Sequence, residues 1–269
     1  MEEQVITTSS AGILARKNGA IGWMAFNDPG RHNAISVDMA RAVPGVMAQM
    51  EADPEIRVVV VTGMGERAFA AGSNISAFGD VRTNPEQNRQ YHDMNEASYN
   101  AVYACSKPTI AMIHGYCIGG GLDFASSCDI RICDDKAQFA IPAVKLGLGY
   151  GYEGQIRLGR LLSAAQARDL FFTGRRYDAA EALRTGLVHR VVASDQLEQE
   201  VQAYAETIAR NAPLTLKALK RGFLEQEKTE AECDMRRAQE LIDACYRSQD
   251  YLEGRAAFAA KRQPDFKGQ

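Results

Sequence analysis

Two apolar runs, Ile13 to Lys17 and Ala20 to Phe26, flank Asn18-Gly19, and together they predict a β-hairpin. The polar stretch Asn27 to Ser36, NDPGRHNAIS, has turn chemistry. Ser36 is placed to cap a helix over about Val37 to Ala52, where Met39, Val43, Val46, Met47 and Met50 recur at helical spacing. Arg57 to Thr62 contains four successive valines and reads as a strand buried on both faces, hence parallel. It runs into a small-residue loop, GMGERAFAAGSNISAFG, where open α/β sheets usually bind ligands. Asp80 to Ser106 is polar and helical in character. It reads as a surface helix whose aromatic face (Tyr91, His92, Tyr99, Tyr103) makes some pocket contact.

The centre of the chain is Lys107 to Cys133, KPTIAMIHGYCIGGGLDFASSCDIRIC. Thr109 to Ile113 predicts a buried strand, Leu122 to Ser127 a helix start and Ile130 to Cys133 another strand, with Gly119, Gly120 and Gly121 at the turn. Glycines at a helix start allow a ligand to approach the backbone, and the first N–H groups of a helix lack internal partners. Such a turn suits negative charge developing on an oxygen, although tight helix–strand packing alone would also explain the glycines.

Gln138 to Ile141 reads as a short strand. A glycine-rich loop from Lys145 to Gly154 leads into a helix at Gln155 to Leu162, and Ser163 caps a helix reaching Phe172. Asp178 starts a helix that Gly186 ends. From Asp195 onward the pattern is helical, broken at Asn211-Ala212-Pro213 and softened at Glu253-Gly254. Alternating strands and helices followed by helices alone indicate an α/β core, 1–195, and a helical C-terminal region, 196–269.

With 46% hydrophobic and 24% charged residues, the 269-residue chain has the composition of a soluble globular protein. A net charge of −3 gives no pull toward nucleic acid or anionic membrane. The six cysteines form no CxxC pair and read as reduced, in a cytoplasmic setting. MEEQVITTSS resembles neither a signal nor a transit peptide, and no apolar run approaches the ~20 residues of a membrane span. No metal-ligand cluster of recognised spacing occurs.

Five blocks, in order, resemble the crotonase, or enoyl-CoA hydratase/isomerase, superfamily: FNDPGRHNAIS, AFAAGSNI, HGYCIGGGLDFASSCDIRI, FFTGRRYDAAEALRTGLVHRVV and AFAAKRQPDFKG. The resemblance implies a spiral of ββα repeats with C-terminal helices that trimerise, assembled as a trimer or a dimer of trimers. It implies an acyl-CoA substrate, with coenzyme A entering as part of the substrate and no separate cofactor. It also implies an oxyanion hole from the amides of Ser73 and Gly120. Contacts to the CoA ester would come from Arg31, His32, Ala70, Ala71, Asn74 and Ile75, with Phe266 or Lys267 supplied by a neighbouring subunit.

The chain departs from that pattern at both family glutamates. Asp123 stands where the first would be, and Ala143, after Pro142, replaces the second. Hydration needs groups that deprotonate water and protonate the α-carbon, so acid–base candidates are Asp123, Glu153 and Tyr150. Tyr150 matches by position a tyrosine of the methylmalonyl-CoA decarboxylase branch. A capping acid, a capping acid and a buried ring are the respective alternatives. Three functions follow: an enoyl-CoA hydratase/isomerase-like enzyme of fatty acid metabolism, a decarboxylase, dehalogenase or C–C hydrolase of the same superfamily, or a CoA-ester-binding protein with little catalysis.

Overall fold

The strands sort into two sheets by their place in a repeating unit. The structure, a computed structural model, describes residues 3–73 and 84–269. Strands β1 (Gln4–Ile6), β2 (Ile13–Asn18), β3 (Ile21–Phe26), β4 (Val58–Gly63), β6 (Thr109–Ile113), β8 (Ile130–Asp134) and β11 (Arg190–Val192) form the larger sheet in the order β1-β2-β3-β4-β6-β8-β11. Strands β5 (Ala68–Ala70), β7 (Tyr116–Ile118), β9 (Gln138–Ala140) and β10 (Tyr177–Asp178) form the smaller, in the order β10-β9-β7-β5. Successive turns of chain lay one strand in each sheet: β4 then β5, β6 then β7, β8 then β9. Adjacent turns pair in parallel, with Val59 opposite Thr109, Ile110 opposite Ile130 and Cys117 opposite Phe139. Helices α2 (Pro85–Tyr103), α3 (Gly120–Ser127) and α4 (Tyr152–Leu161) follow these strand pairs, which makes the spiral of ββα repeats.

The valine run shows why the large sheet is central. Side chains alternate across a strand. Val59 and Val61 face the main core with Met24, Phe26 and Met47, the last from α1 (Val37–Ala52). Val58 and Val60 face the opposite layer with Trp23, Ile110 and Ile132, covered by Leu197, Val201 and Ala205 of α7 (Leu197–Ala209). Burial on both faces is the condition expected of a parallel strand. Helix α7 thus packs on the sheet although it lies within the expected C-terminal region.

Local signals held at most element ends. Ser36 Oγ accepts from Met39 N–H at 3.2 Å to cap α1. Ser163 caps α5 (Ala164–Thr173), and Asp178 caps α6 (Ala179–Thr185), which ends at Gly186 with φ 81°. Four expectations shift. The hairpin turn is Gly19-Ala20, with Asn18 paired to Ile21. Helix α3 starts at Gly120 and α4 at Tyr152, each earlier than expected, because the low helix propensity of glycine and tyrosine is a weak preference that the helical run behind them overrides. The expected softening at Glu253-Gly254 does not interrupt α10 (Gln249–Ala259), where a Cβ on Gly254 would lie 3.4 Å from the Phe266 ring.

Helices α8 (Pro213–Gln226), α9 (Met235–Arg247) and α10 complete the chain. Lys220, 5% exposed, ties α8 to the core through a 2.7 Å bond to Asp129 Oδ2. Arg57 donates to the carbonyls of Ala209 and Phe266 at 3.0 and 2.7 Å. These helices leave large apolar side chains in solvent, among them Phe223 at 61% and Phe258 at 87% exposure, around a cavity of about 730 Å³. No helix among the described residues is long and apolar enough to cross a membrane.

Candidate active site

The end of β5 and the start of α3 approach so closely that only glycine fits. A Cβ on Gly121 would lie 2.2 Å from the Ala70 carbonyl oxygen, and one on Gly72 would lie 2.9 Å from the Ile118 carbonyl. Gly72 and Gly119 have φ of 94° and 53°, a region that favours glycine. A Cβ on Gly120 would come within 2.9 Å of the Tyr99 hydroxyl and 3.6 Å of the Ser73 nitrogen. The backbones at Ser73 and Gly120 therefore share one corner. As the first residue of α3, Gly120 has no intrahelical acceptor for its N–H. At Ser73 the pairing to the neighbouring loop runs through Ile35 N–H and the Gly72 carbonyl at 2.8 Å.

A turn far back in the sequence fixes that corner. Asn33 is fully buried and its Nδ2 donates to the carbonyls of Ala68 and Met64 at 2.8 and 3.0 Å. Its Oδ1 accepts from Asp28 N–H at 3.0 Å. His32 and Asn33 both hold positive φ, 53° and 55°. Ala71 N–H then donates to the His32 carbonyl at 3.0 Å, which registers the strand end against the turn.

Behind the corner lies a buried charge chain. Arg157 of α4 donates to both oxygens of Glu96 at 2.8 Å each. The same guanidinium stands 3.5 Å from Asp123 Oδ1, close enough for an ion pair but short of a hydrogen bond. Arg157 also lies over the Tyr99 ring, 5.0 Å from its centroid. The Tyr150 hydroxyl donates to Asp123 Oδ2. Burial pushes the Asp123 carboxyl up to about 6, against the opposing pull of Arg157 and the Tyr150 hydrogen bond, and Glu96 pushes it further up. One guanidinium serves two carboxylates, and Glu96 takes both strong bonds. Burial, followed by the Asp123 charge, raises the Tyr150 phenol well above its usual range, so the phenol remains a donor at neutral pH.

Asp123, Tyr150, Tyr99, Ser73 and Gly120 line one cavity of about 140 Å³, and Ala143 forms part of its wall. Of the other expected site residues, Ala71 also lines it, while Ala70 is wholly buried in β5 behind it. His32 stacks edge-on to Tyr116 at 5.8 Å, and Arg31 is exposed at the end of its turn. Asn74 and Ile75 lie outside the described residues. Glu153 is not among the lining residues. It is half-exposed, with Oε2 3.2 Å from His92 Nε2. Phe266 and Lys267 sit in the C-terminal region of the same chain, where Lys267 N–H donates to Asp250 Oδ1 at 2.7 Å. Neither lines the cavity of its own chain.

Sequence reasoning passed over Arg157 and Glu96. It noticed His92 and Tyr99, and the spacing of His92, Asn95, Glu96 and Tyr99 was the available signal: one face of α2, all lining the cavity. His92, Glu96 and Glu153 bring potential metal-ligand atoms within 4.8 Å of one another. Glu96 already gives both oxygens to Arg157, and that cation would repel a metal ion at the same carboxylate.

A family model described as "Enoyl-CoA hydratase/isomerase" matches residues 16–269. The chain belongs to the enoyl-CoA hydratase/isomerase family. It is 36% identical to a probable enoyl-CoA hydratase of Mycobacterium tuberculosis over 258 residues, covering 94% of this chain and 97% of that protein. It is 33% identical to carnitinyl-CoA dehydratase of Salmonella typhimurium over 263 residues, covering 96% and 99%. A crystal structure of an enoyl-CoA hydratase/carnithine racemase from Magnetospirillum magneticum superposes with a TM-score of 0.89 at 36% identity, covering 97% of each chain. The two-sheet spiral is the enoyl-CoA hydratase/isomerase, or crotonase, fold.

The raised Asp123 carboxyl has a consequence for stability. Because its folded value, about 6, exceeds the ordinary carboxyl value of 3.8, the folded state binds more protons between those pH values. Stability therefore falls as pH rises through that window, and the whole cost is present above it. Urea unfolding across the window is expected to show this fall in the native chain and its loss in Asp123→Asn, with parallel curves contradicting the assignment.

Proposed function

We propose that this enzyme, an acyl-CoA-processing member of the enoyl-CoA hydratase/isomerase type, works through a thioester enolate. The amides of Ser73 and Gly120 hold the enolate oxygen, and Asp123 is the acid–base group. The observation that carries the reading is the buried Asp123–Tyr150 pair in the same small cavity as the Ser73–Gly120 corner. Ionised Asp123 takes a proton from water while the water oxygen bonds to the β-carbon. The C=C electron pair moves to the thioester oxygen, where two N–H donors meet the developing charge. Asp123 then returns the proton to the α-carbon, so one carboxylate serves both steps. A value near 6 suits both roles at neutral pH. Tyr150 orients the carboxylate and limits its rise. Glu153 could assist only from the cavity edge, through His92.

One observation favours a second reading. Ala143 places a methyl, not a carboxylate, in the cavity wall, as a decarboxylase, dehalogenase or C–C hydrolase working through the same enolate would tolerate. The location we propose is cytoplasmic, supported by six free cysteines, four of them buried, and the substrates are enoyl thioesters of fatty acid metabolism. Coenzyme A enters as part of the substrate, with Arg31, His32 and the Ala70–Ala71 backbone toward it, and Phe266 or Lys267 of a neighbouring chain.

Loss of the enoyl-thioester absorbance measures hydration directly. Asp123→Ala is expected to lower kcat by ~10²–10⁴-fold. Tyr150→Phe removes a bond that holds the carboxyl down, so the acid limb of the pH–rate profile moves to higher pH. An unchanged rate in Asp123→Ala removes that residue from the mechanism, and turnover of malonyl-type thioesters instead of enoyl thioesters favours the second reading.

The exposed apolar faces of α8, α9 and α10 support assembly as a trimer, or a hexamer of two trimers, through residues 196–269. Light scattering is expected to give three or six chain masses, with Phe223→Asp lowering the mass; a monomeric native protein would reject this arrangement.

A further inference from the structure

The hydroxyl of Tyr99 is a buried donor without an acceptor. Tyr99 is 5% exposed and lines the active cavity from α2, and among the described residues its hydroxyl donates to no group. Buried tyrosines usually find a partner for that hydroxyl. Asp123 Oδ1, in the same cavity, also lacks a hydrogen bond, yet the two do not pair. The ring is held without help from the hydroxyl. It meets Phe124 edge-on at 4.8 Å and carries the Arg157 guanidinium 5.0 Å from its centroid. A phenylalanine would make both contacts. Burial, followed by the Asp123 charge, raises the phenol well above its usual range, so it stays protonated at neutral pH.

That hydroxyl stands at the Ser73–Gly120 corner. The point a Gly120 Cβ would occupy lies 2.9 Å from the Tyr99 hydroxyl and 3.6 Å from the Ser73 nitrogen. The Gly120 N–H leaves the same residue and has no acceptor within its helix. Donors from α2, from the start of α3 and from the chain just past β5 thus border one small volume. Their number matters. A thioester carbonyl oxygen has two lone pairs, which two amides fill. An enolate oxygen carries a third, so a third donor finds its acceptor only as the charge develops. Such a bond lowers the barrier without tightening the binding of substrate.

We propose that the Tyr99 hydroxyl is a third donor to the thioester oxygen, engaged when the enolate forms. This rests on the acyl-CoA enolate reading above and deepens it: Tyr99 becomes a catalytic residue beside the two amides. The hydrogen bond forms on the enolate oxygen and is lost when the α-carbon is reprotonated, and the phenol keeps its proton throughout.

Acetoacetyl-CoA, whose enolate absorbs in the ultraviolet more strongly than its keto form, reads this step without turnover. Its spectrum at saturation would be followed with rising pH on the native protein and on Tyr99→Phe. The native protein is expected to favour the enolate relative to water. Tyr99→Phe is expected to lower the bound enolate-to-keto ratio by about 10–100-fold, which raises the pH at which the bound ligand ionises by about one to two units. Affinity for butyryl-CoA, which is bound in its ground state, stays at the native value. For whichever thioester is turned over, kcat and kcat/KM fall together. An unchanged enolate ratio overturns the proposal. So does an equal loss of butyryl-CoA affinity, or a lower urea midpoint in the ligand-free variant, because either gives the hydroxyl a binding or folding role instead. If the native protein binds acetoacetyl-CoA only in the keto form, or not at all, the enolate reading itself is overturned.

Discussion

Everything at the site depends on a backbone-to-backbone approach that leaves no room for side chains. The Ala70 carbonyl lies 2.2 Å from where a Gly121 Cβ would be, and the Ile118 carbonyl lies 2.9 Å from a Gly72 Cβ. Because no Cβ intervenes, a strand end from one turn of the spiral and a helix start from the next reach the same corner. The parallel pairing of β5 with β7 sets the approach along the strand, and Asn33 sets it from the side. That close corner is thus a property of how consecutive repeats stack. It needs no side chain at position 120, where a Cβ would lie 2.9 Å from the Tyr99 hydroxyl.

The raised carboxyl beside that corner comes first from burial and then from an imbalance of charge. Arg157 commits two hydrogen bonds to Glu96 and only a longer contact to Asp123. Removal from water disfavours the ionised carboxylate, and an unequally shared guanidinium repays only part of that cost. The result is one buried acid near neutrality and one phenol that stays protonated. Where the resemblance implies two glutamates, this chain presents an aspartate that accepts from a tyrosine, with a methyl at the second position.

Much of the fold was legible because local and global signals agreed. The valine run of β4, the Ser36, Ser163 and Asp178 caps and the Gly186 stop each rest on short-range rules that packing did not override. Strands β5 and β7 were harder to see. Three residues each, they lie among glycines and small residues, and they are strands only because their neighbours in the spiral pair with them. At the site, the glycines and Asp123 were visible as a motif. Arg157 and Glu96 were not, because their roles come from a contact 61 residues apart that no local pattern encodes. Glu153 illustrates the converse: a promising position in a helix start that the fold turns toward His92 and not into the cavity.

The most direct test of the account follows the bound carbonyl. Isotope-edited infrared spectra of an acyl-CoA labelled at the thioester carbon would be compared free and bound at saturation. Two amide donors at one corner predict a clear shift of the C=O stretch to lower frequency, retained in Asp123→Ala because the donors are main-chain groups. A bound ligand whose carbonyl frequency matches that in water would contradict the account.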